Sequence, residues 1–174
     1  SYVNFLEVRK EIRYLELADT VRSESLQLRR HEKNFLLYGD TKEIDEVHTY
    51  LRDLKAILVQ GRKSYNAEKL LGLENKVDEY SRRFNRIEVI YRDFLKDFAG
   101  LKPLGKEYSL FFPLIESTFL ERPFVNAELI KKIFSPKVSS PVITELMELN
   151  DEIASLRKNG EEILTLSKDL DKSA

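Results

Sequence analysis

The sequence predicts an all-α protein, an up-down-up-down four-helix bundle with long terminal helices and a small helical cap inserted between helices three and four. Two observations predict it. The first is a hydrophobic seam that recurs every three or four residues, through Leu73, Val77, Tyr80, Phe84, Ile87, Tyr91, Phe94 and Phe98 in one stretch and through Leu146, Leu149, Ile153, Leu156, Gly160, Ile163, Ser167 and Leu170 in another. This spacing places each set on one narrow helix face, which must be buried against a neighbour that runs alongside. The second is a link between the first two helices so short that it favours an antiparallel hairpin.

The first helix is predicted from about Val3 to Tyr38, because Gly39 supplies a left-handed end and Asp40 or Thr41 can cap the next element. Its seam changes phase partway along. An opening set is followed by a later set: Phe5, Val8, Ile12 and Leu15, then Tyr14, Leu17, Val21, Leu28 and Phe35. The change indicates that the two halves face different neighbours, and we expect the opening half to pair only with the end of the last helix.

The other helices are predicted from after Thr41 to near Ser64, from about Lys69 to Phe98, and from about Pro141 to Leu170. Four prolines and Gly105 between Ala99 and Ser140 exclude a long helix there, yet the segment is rich enough in apolar residues for two short ones. Since it joins an ascending helix to a descending one, this segment is predicted to cap the end of the bundle away from the termini.

Composition narrows the class of partner. There are 30 Asp and Glu residues against 29 Lys and Arg, so no overall field attracts nucleic acid. No stretch is apolar enough for a membrane span and no signal peptide opens the sequence. The absence of cysteine excludes disulfides, thiolate metal sites and cysteine nucleophiles. Both ends lack clear helix stops, and we expect the terminal helices to continue into something else.

The patterns of catalytic and metal sites are missing from the sequence. Histidine occurs only at His31 and His48. Neither has a glutamate three residues before it, as the Glu-x-x-His pair of a di-iron bundle requires. No glycine-rich phosphate loop, nucleophile elbow or HExxH helix occurs. We therefore predict no catalytic residue, no metal site and no cofactor. A helical enzyme, or a haem held by the histidines or Met147, is the alternative.

The densest polar cluster falls on helices one and three, which the predicted bundle brings to similar heights beside helices two and four. Arginine donates two parallel hydrogen bonds to a carboxylate, so the cluster indicates a site for a small organic acid or another anion. The candidate ligand-binding residues are Arg29, Arg30, Lys33, Tyr50, Arg83, Arg86 and Asn150. The alternative is that these arginines only face Glu32, Glu79 and Glu88 on a solvated surface.

Residues 28–40, LRRHEKNFLLYGD, resemble a run found in helical sensor domains of bacterial transmembrane receptors, Arg-x-Glu-Lys-Asx-aromatic-Leu-Leu followed by Gly-Asp. Such domains are the extracytoplasmic four-helix and helical bimodular domains of methyl-accepting chemotaxis receptors and some sensor histidine kinases. The matching residues are Arg30, Glu32, Lys33, Asn34, Phe35, Leu36, Leu37, Gly39 and Asp40. The likeness extends more loosely to Phe98, but the segment from Ala99 to Ser140 departs from the bimodular pattern, in which a second bundle is stacked on the first.

The resemblance implies a periplasmic sensor domain over residues 1–174, homodimeric in a receptor of the bacterial inner membrane and flanked by membrane spans outside this chain. A small solute bound between helices, or across the dimer, would shift the last helix relative to the first. Gly160 and Ser167 leave thin packing in the last seam, where such a shift is easier. The alternative from another class is a helical scaffold, whose exposed seam binds a partner helix and whose arginines have no ligand.

Overall fold

The computed structural model describes residues 2–38, 40–65, 67–99 and 140–172, and within them it has four α-helices and no strand. The helices are α1 (Tyr2–Tyr38), α2 (Lys42–Tyr65), α3 (Glu68–Ala99) and α4 (Ser140–Lys168). The all-α prediction is confirmed, with helix contacts typical of a bundle, and the observed helix ends lie within about two residues of the predicted ones, the usual uncertainty of such boundaries. The predicted cap lies outside the described residues.

The hydrophobic seams form the core, as their spacing predicts. On α3 the seam residues from Leu73 to Phe94 are all buried, and the side chain of Phe98 lies outside the described part. On α4 the seam is buried from Leu149 to Leu170, with Gly160 inside it. The later set on α1 is also buried or half-buried. The opening set differs, since its four apolar side chains are about half exposed and no described part of α4 covers them.

The contacts of the chain fall into two compact units. Unit 1 consists of the described residues of Ser1–Glu32, Lys42–Ser81 and Asn159–Ala174, and unit 2 of those of Lys33–Thr41 and Arg82–Lys158. All of α2 belongs to unit 1, whereas α1, α3 and α4 each contribute a segment to both units.

In unit 1, aromatic pairs and ion pairs join the helices in addition to the apolar core. The rings of Tyr14 on α1 and Tyr65 on α2 meet edge to face, with centroids 5.2 Å apart. Glu74 on α3 is 7% exposed and accepts hydrogen bonds from Arg62 (2.8 Å) and Lys55 (3.0 Å) on α2. Arg62 and Lys55 lower the pKa of this carboxyl against the opposing effect of burial.

Unit 2 has an aromatic core. The ring of Phe35 on α1 packs edge to face on two rings of α3, with centroid distances of 5.7 Å to Phe84 and 5.3 Å to Tyr91. Such pairs add about 0.5–1.5 kcal/mol each beyond the area they bury. Ile87, Phe94 and Leu149 are also fully buried.

Candidate functional site

A buried charge lies in the core of unit 1. Glu32 is only 2% exposed, although it belongs to a charged run of α1. Its carboxylate accepts a hydrogen bond from Arg29 at 2.5 Å and another from the Tyr80 hydroxyl of α3 at 2.6 Å. A carboxylate is removed from water at a large cost unless such partners replace the solvent. Burial, followed by the charge of Glu32, raises the pKa of Tyr80 well above its ordinary value. The phenol therefore keeps its proton and donates the hydrogen bond to Glu32.

Gly160 makes the space for this network. A Cβ added at Gly160 of α4 would lie 2.7 Å from a Glu32 carboxylate oxygen and 3.0 Å from the Arg29 Cδ, and it would overlap the Arg29 guanidinium. The glycine that interrupts the α4 seam therefore accommodates polar side chains of α1. Three helices of unit 1 meet at this point, through Arg29 and Glu32 of α1, Tyr80 of α3 and Gly160 of α4.

Further polar contacts tie α4 to the rest of unit 1. The hydroxyls of Ser25 and Ser167 are 2.7 Å apart, and the Ser167 hydroxyl also donates to the carbonyl of Ile163. Asn159 is 3% exposed and its amide donates to the Lys76 carbonyl at 3.1 Å. The α4 seam in unit 1 therefore combines apolar residues with small polar ones.

The end of α4 is fixed by donors from α1 and α3. The Tyr14 hydroxyl donates to the Leu170 carbonyl at 2.9 Å, and Lys69 Nζ donates to the carbonyls of Asp169 (3.2 Å) and Lys172 (2.7 Å). These carbonyls follow the last helical turn, beyond the regular intrahelical donors, and that of Asp169 also accepts the Lys172 backbone N–H at 3.2 Å. A lysine is well suited to this position because its charge opposes the negative end of the helix dipole.

Among the predicted site residues, Tyr50 of α2 contacts His31 of α1. Its ring stacks on that of His31, with centroids 5.2 Å apart. His31 Nδ1 contacts Glu43 of α2, and its other ring nitrogen lies 3.9 Å from Glu46. The two ring nitrogens face different carboxylates, so these three residues do not converge on one metal position.

Two predicted arginines of α3 face carboxylates of α4 in unit 2. Arg86 Nε donates to Glu152 at 3.2 Å, and its Nη2 lies 3.6 Å from Glu148. Arg83 Nη1 lies 4.0 Å from the same Glu152. Since two guanidinium groups share Glu152, its side chain occupies the position that a carboxylate ligand would take between them.

The predicted residue Asn150 is buried in unit 2 with its amide unsatisfied. It is 8% exposed, and neither its amide nitrogen nor its oxygen has a hydrogen-bond partner within the described part of the chain. A buried amide without a partner destabilises a protein by about 1–3 kcal/mol. Such a group is unusual in native structures and marks a position where a ligand could supply the missing bonds.

Acidic groups gather at a second place in unit 2, beside α3. Burial raises the pKa of Glu145 to about 7, and a hydrogen bond with Asp97 and the negative charges of Asp93 and Glu148 act in the same direction. The carboxyl of Glu145 is therefore partly protonated near neutral pH. Like charges that share one site cannot all ionise without mutual repulsion.

The structure distributes the predicted site over both units. Arg29, Arg30 and Tyr50 lie in unit 1, whereas Lys33, Arg83, Arg86 and Asn150 lie in unit 2. Arg30 and Arg86 are exposed, whereas Arg29 and Arg83 are half-buried. Arg29 is engaged by Glu32 and is the arginine least available to a solute.

Sequence reasoning missed the importance of Glu32, Tyr80 and Gly160 as one network. A signal for it was present, because Glu32 falls at helical spacing between Leu28 and Phe35, both of which were assigned to the seam. A charged residue at a core position, together with a glycine in the seam of another helix, indicates a buried polar contact.

The chain matches no model of a known protein family, no curated protein and no solved structure. In the described ranges, no group of three or more His, Cys, Asp or Glu side chains could hold a metal ion. None of the helices described is both long and apolar enough to cross a bilayer.

Proposed function

We propose that this chain is the ligand-sensing domain of a bacterial transmembrane signalling receptor, located outside the cytoplasm, and that it is not an enzyme. It binds a small solute that carries a carboxylate or another anionic group. It transmits the binding event by displacement of α4 relative to α1. Residues 1–174 form one sensor domain with up-down-up-down helices, and flanking membrane spans outside this chain anchor it.

The pairing of α1 with the end of α4 is the observation that carries this proposal. Tyr14 reaches the Leu170 carbonyl, Arg22 Nη1 lies 3.7 Å from Asp171, and Ser25 contacts Ser167. A receptor whose sensor joins two spans on one side of a bilayer needs its first and last helices side by side. The three contacts support this arrangement.

Contacts between consecutive helices support the up-down order. His31, near the end of α1, contacts Glu43 at the start of α2, while Tyr14 contacts Tyr65 at the other end of α2. Along α2 and α3, Arg62 pairs with Glu74 and Lys55 with Asp78. In both pairs of helices, residue numbers rise in one helix as they fall in the other, which is the pattern of antiparallel neighbours.

The binding step follows from the shared carboxylate of Glu152. A solute carboxylate replaces the Glu152 side chain between Arg83 and Arg86, and the bidentate geometry of arginine favours this exchange. Glu152 then moves away from α3. Asn150 is two residues from Glu152 on α4 and faces another side of that helix, so it does not take part in this exchange.

The transmission step uses the continuity of α4. Because α4 extends from Ser140 to Lys168 as a single helix, a movement at Glu152 is carried along its axis to Ser167. There the contact with α1 is made by two small hydroxyl side chains, which can exchange hydrogen bonds with less steric hindrance than interlocked leucines. Helix shifts of about 1–2 Å at interfaces are one of the known forms of allosteric transition.

A thermal-shift screen tests the proposal. Organic acids, amino acids and inorganic oxyanions are added to the whole chain, and a true ligand raises the midpoint of thermal unfolding as its stabilisation, RT ln(1 + [L]/Kd), increases.

Calorimetry then compares two exposed arginines of α3. Arg86→Gln is expected to weaken binding by about tenfold or more, since it removes a charge-assisted contact. Arg92→Gln is the matched control, because Arg92 pairs only weakly with Glu88, at 3.6 Å, and should leave affinity unchanged. Equal effects of the two substitutions would remove the arginine pair from the site.

A helical scaffold is the second candidate, and a specific observation favours it. Phe5, Val8, Ile12 and Leu15 form an exposed apolar row on α1, as the partner-binding surface of an interaction module does. A uniformly negative solute screen combined with tight capture of a protein partner would favour this function over the sensor.

A further inference from the structure

A groove of about 930 Å³ opens on the surface of unit 1. The first half of α1, the adjoining ends of α2 and α3 and the residues that follow α4 line it. Its volume lies in the range of about 300–1,000 Å³ in which proteins bind small molecules. The proposed anion site does not use this groove, since Arg83 and Arg86 lie in unit 2.

Two tyrosine rings form one wall of the groove. Tyr14 and Tyr65 are both half-buried, so part of each ring remains open to the groove. The Nζ of Lys10 lies 5.9 Å from the centroid of the Tyr65 ring. The face of an aromatic ring attracts an ammonium group at such a distance. The Tyr65 ring therefore already holds a cation, which the protein itself supplies.

Three glutamates add carboxylates to the groove. Glu7, Glu11 and Tyr14 follow one another at spacings of four and three, so they share one face of α1, and Glu68 lies in the first turn of α3. All three glutamates are exposed. None of the ion pairs and side-chain hydrogen bonds found in the described ranges includes them.

The other charged groups at the end of α4 have contacts within unit 1. Lys69 Nζ donates to two backbone carbonyls that follow α4. Lys172 Nζ lies 3.1 Å from Asp169 Oδ1, and Arg22 Nη1 lies 3.7 Å from Asp171. The acidic groups that remain for a ligand are therefore the three glutamates.

We propose that this groove binds a linear organic cation with two or more ammonium groups, a diamine or polyamine. The ammonium groups pair with Glu7, Glu11 and Glu68, and one of them lies on the Tyr65 ring in place of Lys10. The proposal goes beyond the proposed function, because it assigns a second site in unit 1 to a ligand of opposite charge. It holds for a scaffold as well as for a sensor.

The arrangement of the groove favours this class of ligand over others. At 1.5 Å per residue, Glu7 and Glu11 are about 6 Å apart along α1, a distance that two ammonium groups on one short methylene chain span. The methylene groups pack on Leu15, which is 49% exposed. An anion is repelled by the three glutamates, and a purely apolar ligand removes their carboxylates from water without replacing the lost hydrogen bonds.

Calorimetry with cadaverine, a five-carbon diamine, and with spermidine tests the proposal on the whole chain. The groove is open to solvent, so we expect a dissociation constant on the order of 10⁻⁴ M at low ionic strength and weaker binding as salt screens the charges. Absence of binding by both probes up to about 10 mM, a hundred times the expected dissociation constant, would overturn the proposal.

A pair of double variants separates a site from a general response to net charge. Glu7→Gln combined with Glu11→Gln should weaken cadaverine binding by about tenfold, because each exposed ion pair accounts for a few-fold change. Glu16→Gln combined with Glu161→Gln is the matched control, since both residues are exposed, lie in unit 1 and are outside the groove. It should change the affinity by less than about twofold. Equal losses in the two double variants would overturn the proposal.

Lys10 supplies a test with the opposite sign. Lys10→Gln should strengthen cadaverine binding by about two- to fivefold, because it removes a competing cation from the Tyr65 ring. Lys63→Gln, at an exposed position of α2 outside the groove, is the control for the lost charge. Unchanged or weaker binding by Lys10→Gln, relative to this control, would overturn the position assigned to the ligand ammonium.

Glutarate, the dicarboxylate with the carbon number of cadaverine, tests the sign of the ligand charge. Glutarate binding that becomes tighter in the Glu7→Gln and Glu11→Gln double variant would show an anion site in this groove and would overturn the proposal. Arg86→Gln keeps the two proposals separable, because it should weaken binding of a carboxylate in unit 2 and leave cadaverine binding unchanged.

Discussion

The two units of the chain differ in how fully their buried polar networks are hydrogen-bonded, although unpartnered atoms occur in both, since Glu24 Oε2 and Asn159 Oδ1 of unit 1 have no partner among the described residues. In unit 1 Glu32 accepts hydrogen bonds from Arg29 and Tyr80, Ser25 contacts Ser167, and even the carbonyls past the end of α4 have donors. In unit 2 the amide of Asn150 has no partner in the described part of the chain, and Glu145 shares an acidic cluster in which burial and repulsion raise its pKa.

The difference indicates where buried polar groups favour one arrangement of the helices and where binding or protonation can change it. A fully satisfied network such as that of Glu32 specifies one arrangement of helices, because any displacement leaves a buried charge without its partners. Unsatisfied groups have the opposite effect, since a ligand or a proton can improve their energy. We therefore propose that the solute binds in unit 2 and that the Glu32 network of unit 1 favours the helix arrangement of the unliganded chain.

The largest effect is expected from removing the carboxylate of unit 1. Glu32→Ala leaves Arg29 and the Tyr80 hydroxyl without their acceptor and should lower the free energy of unfolding by about 3 kcal/mol. Urea denaturation measures it. Glu16→Ala, at an exposed position of the same helix, is the control and should change stability by less than about 0.5 kcal/mol. Similar small losses for both would mean that the buried network is not stabilising.

Two helical glycines give the next effect, with opposite signs. Gly160→Ala should lower stability by about 1–3 kcal/mol, because the new methyl group would overlap Arg29 and Glu32. Gly72→Ala has nothing within 4 Å of the added Cβ and should raise stability by about 0.5–1 kcal/mol through helix propensity alone. Thermal unfolding of the two variants measures both effects. A stabilising Gly160→Ala would show that the Arg29 and Glu32 side chains do not need the space beside Gly160.

Two buried asparagines of α4 extend the comparison between the units. Asn150→Leu in unit 2 removes an amide that has no hydrogen-bond partner among the described residues, and it should leave stability unchanged or raise it by up to about 1 kcal/mol. Asn159→Leu in unit 1 removes a hydrogen bond to the Lys76 carbonyl and should lower stability by about 1 kcal/mol. Denaturant midpoints of the two variants measure this, and equal losses would contradict the distinction between paired and unpaired groups.

The smallest expected effect is the dependence of folding stability on pH. The pKa of Glu145 is about 7 in the folded chain against an ordinary value of 4.5, so between these values the native state holds a proton that the unfolded state has lost. Stability should therefore fall as pH rises from about 5 to 7.5, by less than about 1 kcal/mol because solvent screens this half-buried group. Glu145→Gln should flatten the dependence in urea titrations at several pH values. An unchanged slope would exclude Glu145 as its source.

The helices could be predicted from sequence because their signals are local. Leu73, Val77 and Phe84 repeat at the period of a helix face, and Gly39 and Thr41 lie at an interruption that ends one helix and starts the next. Burial then follows, since a face of this kind must be covered. The phase change of α1 was also recognised, although the direction of the opening set was not.

The site was harder to predict because its energetics depend on contacts far apart in sequence. Glu32 is acidic, and a charge in an isolated sequence predicts exposure; its burial depends on Tyr80, which is 48 residues away. The outward direction of Phe5 and Ile12 could not be known either, because spacing defines a face without saying what covers it. The arginines were found by type, but their carboxylate partners on α4 are set by helix register.

The most direct test of the account is a calorimetric titration of Glu152→Gln beside the wild-type chain, with the carboxylate that stabilises the wild type most in the thermal-shift screen. Glu152 pairs with Arg86 at 3.2 Å and competes with the solute in the proposed site. Removing its charge should therefore strengthen binding by about 3- to 30-fold, equivalent to roughly 0.7–2 kcal/mol. Unchanged or weaker binding, or no carboxylate that binds the wild type at all, would contradict an anion site between Arg83 and Arg86.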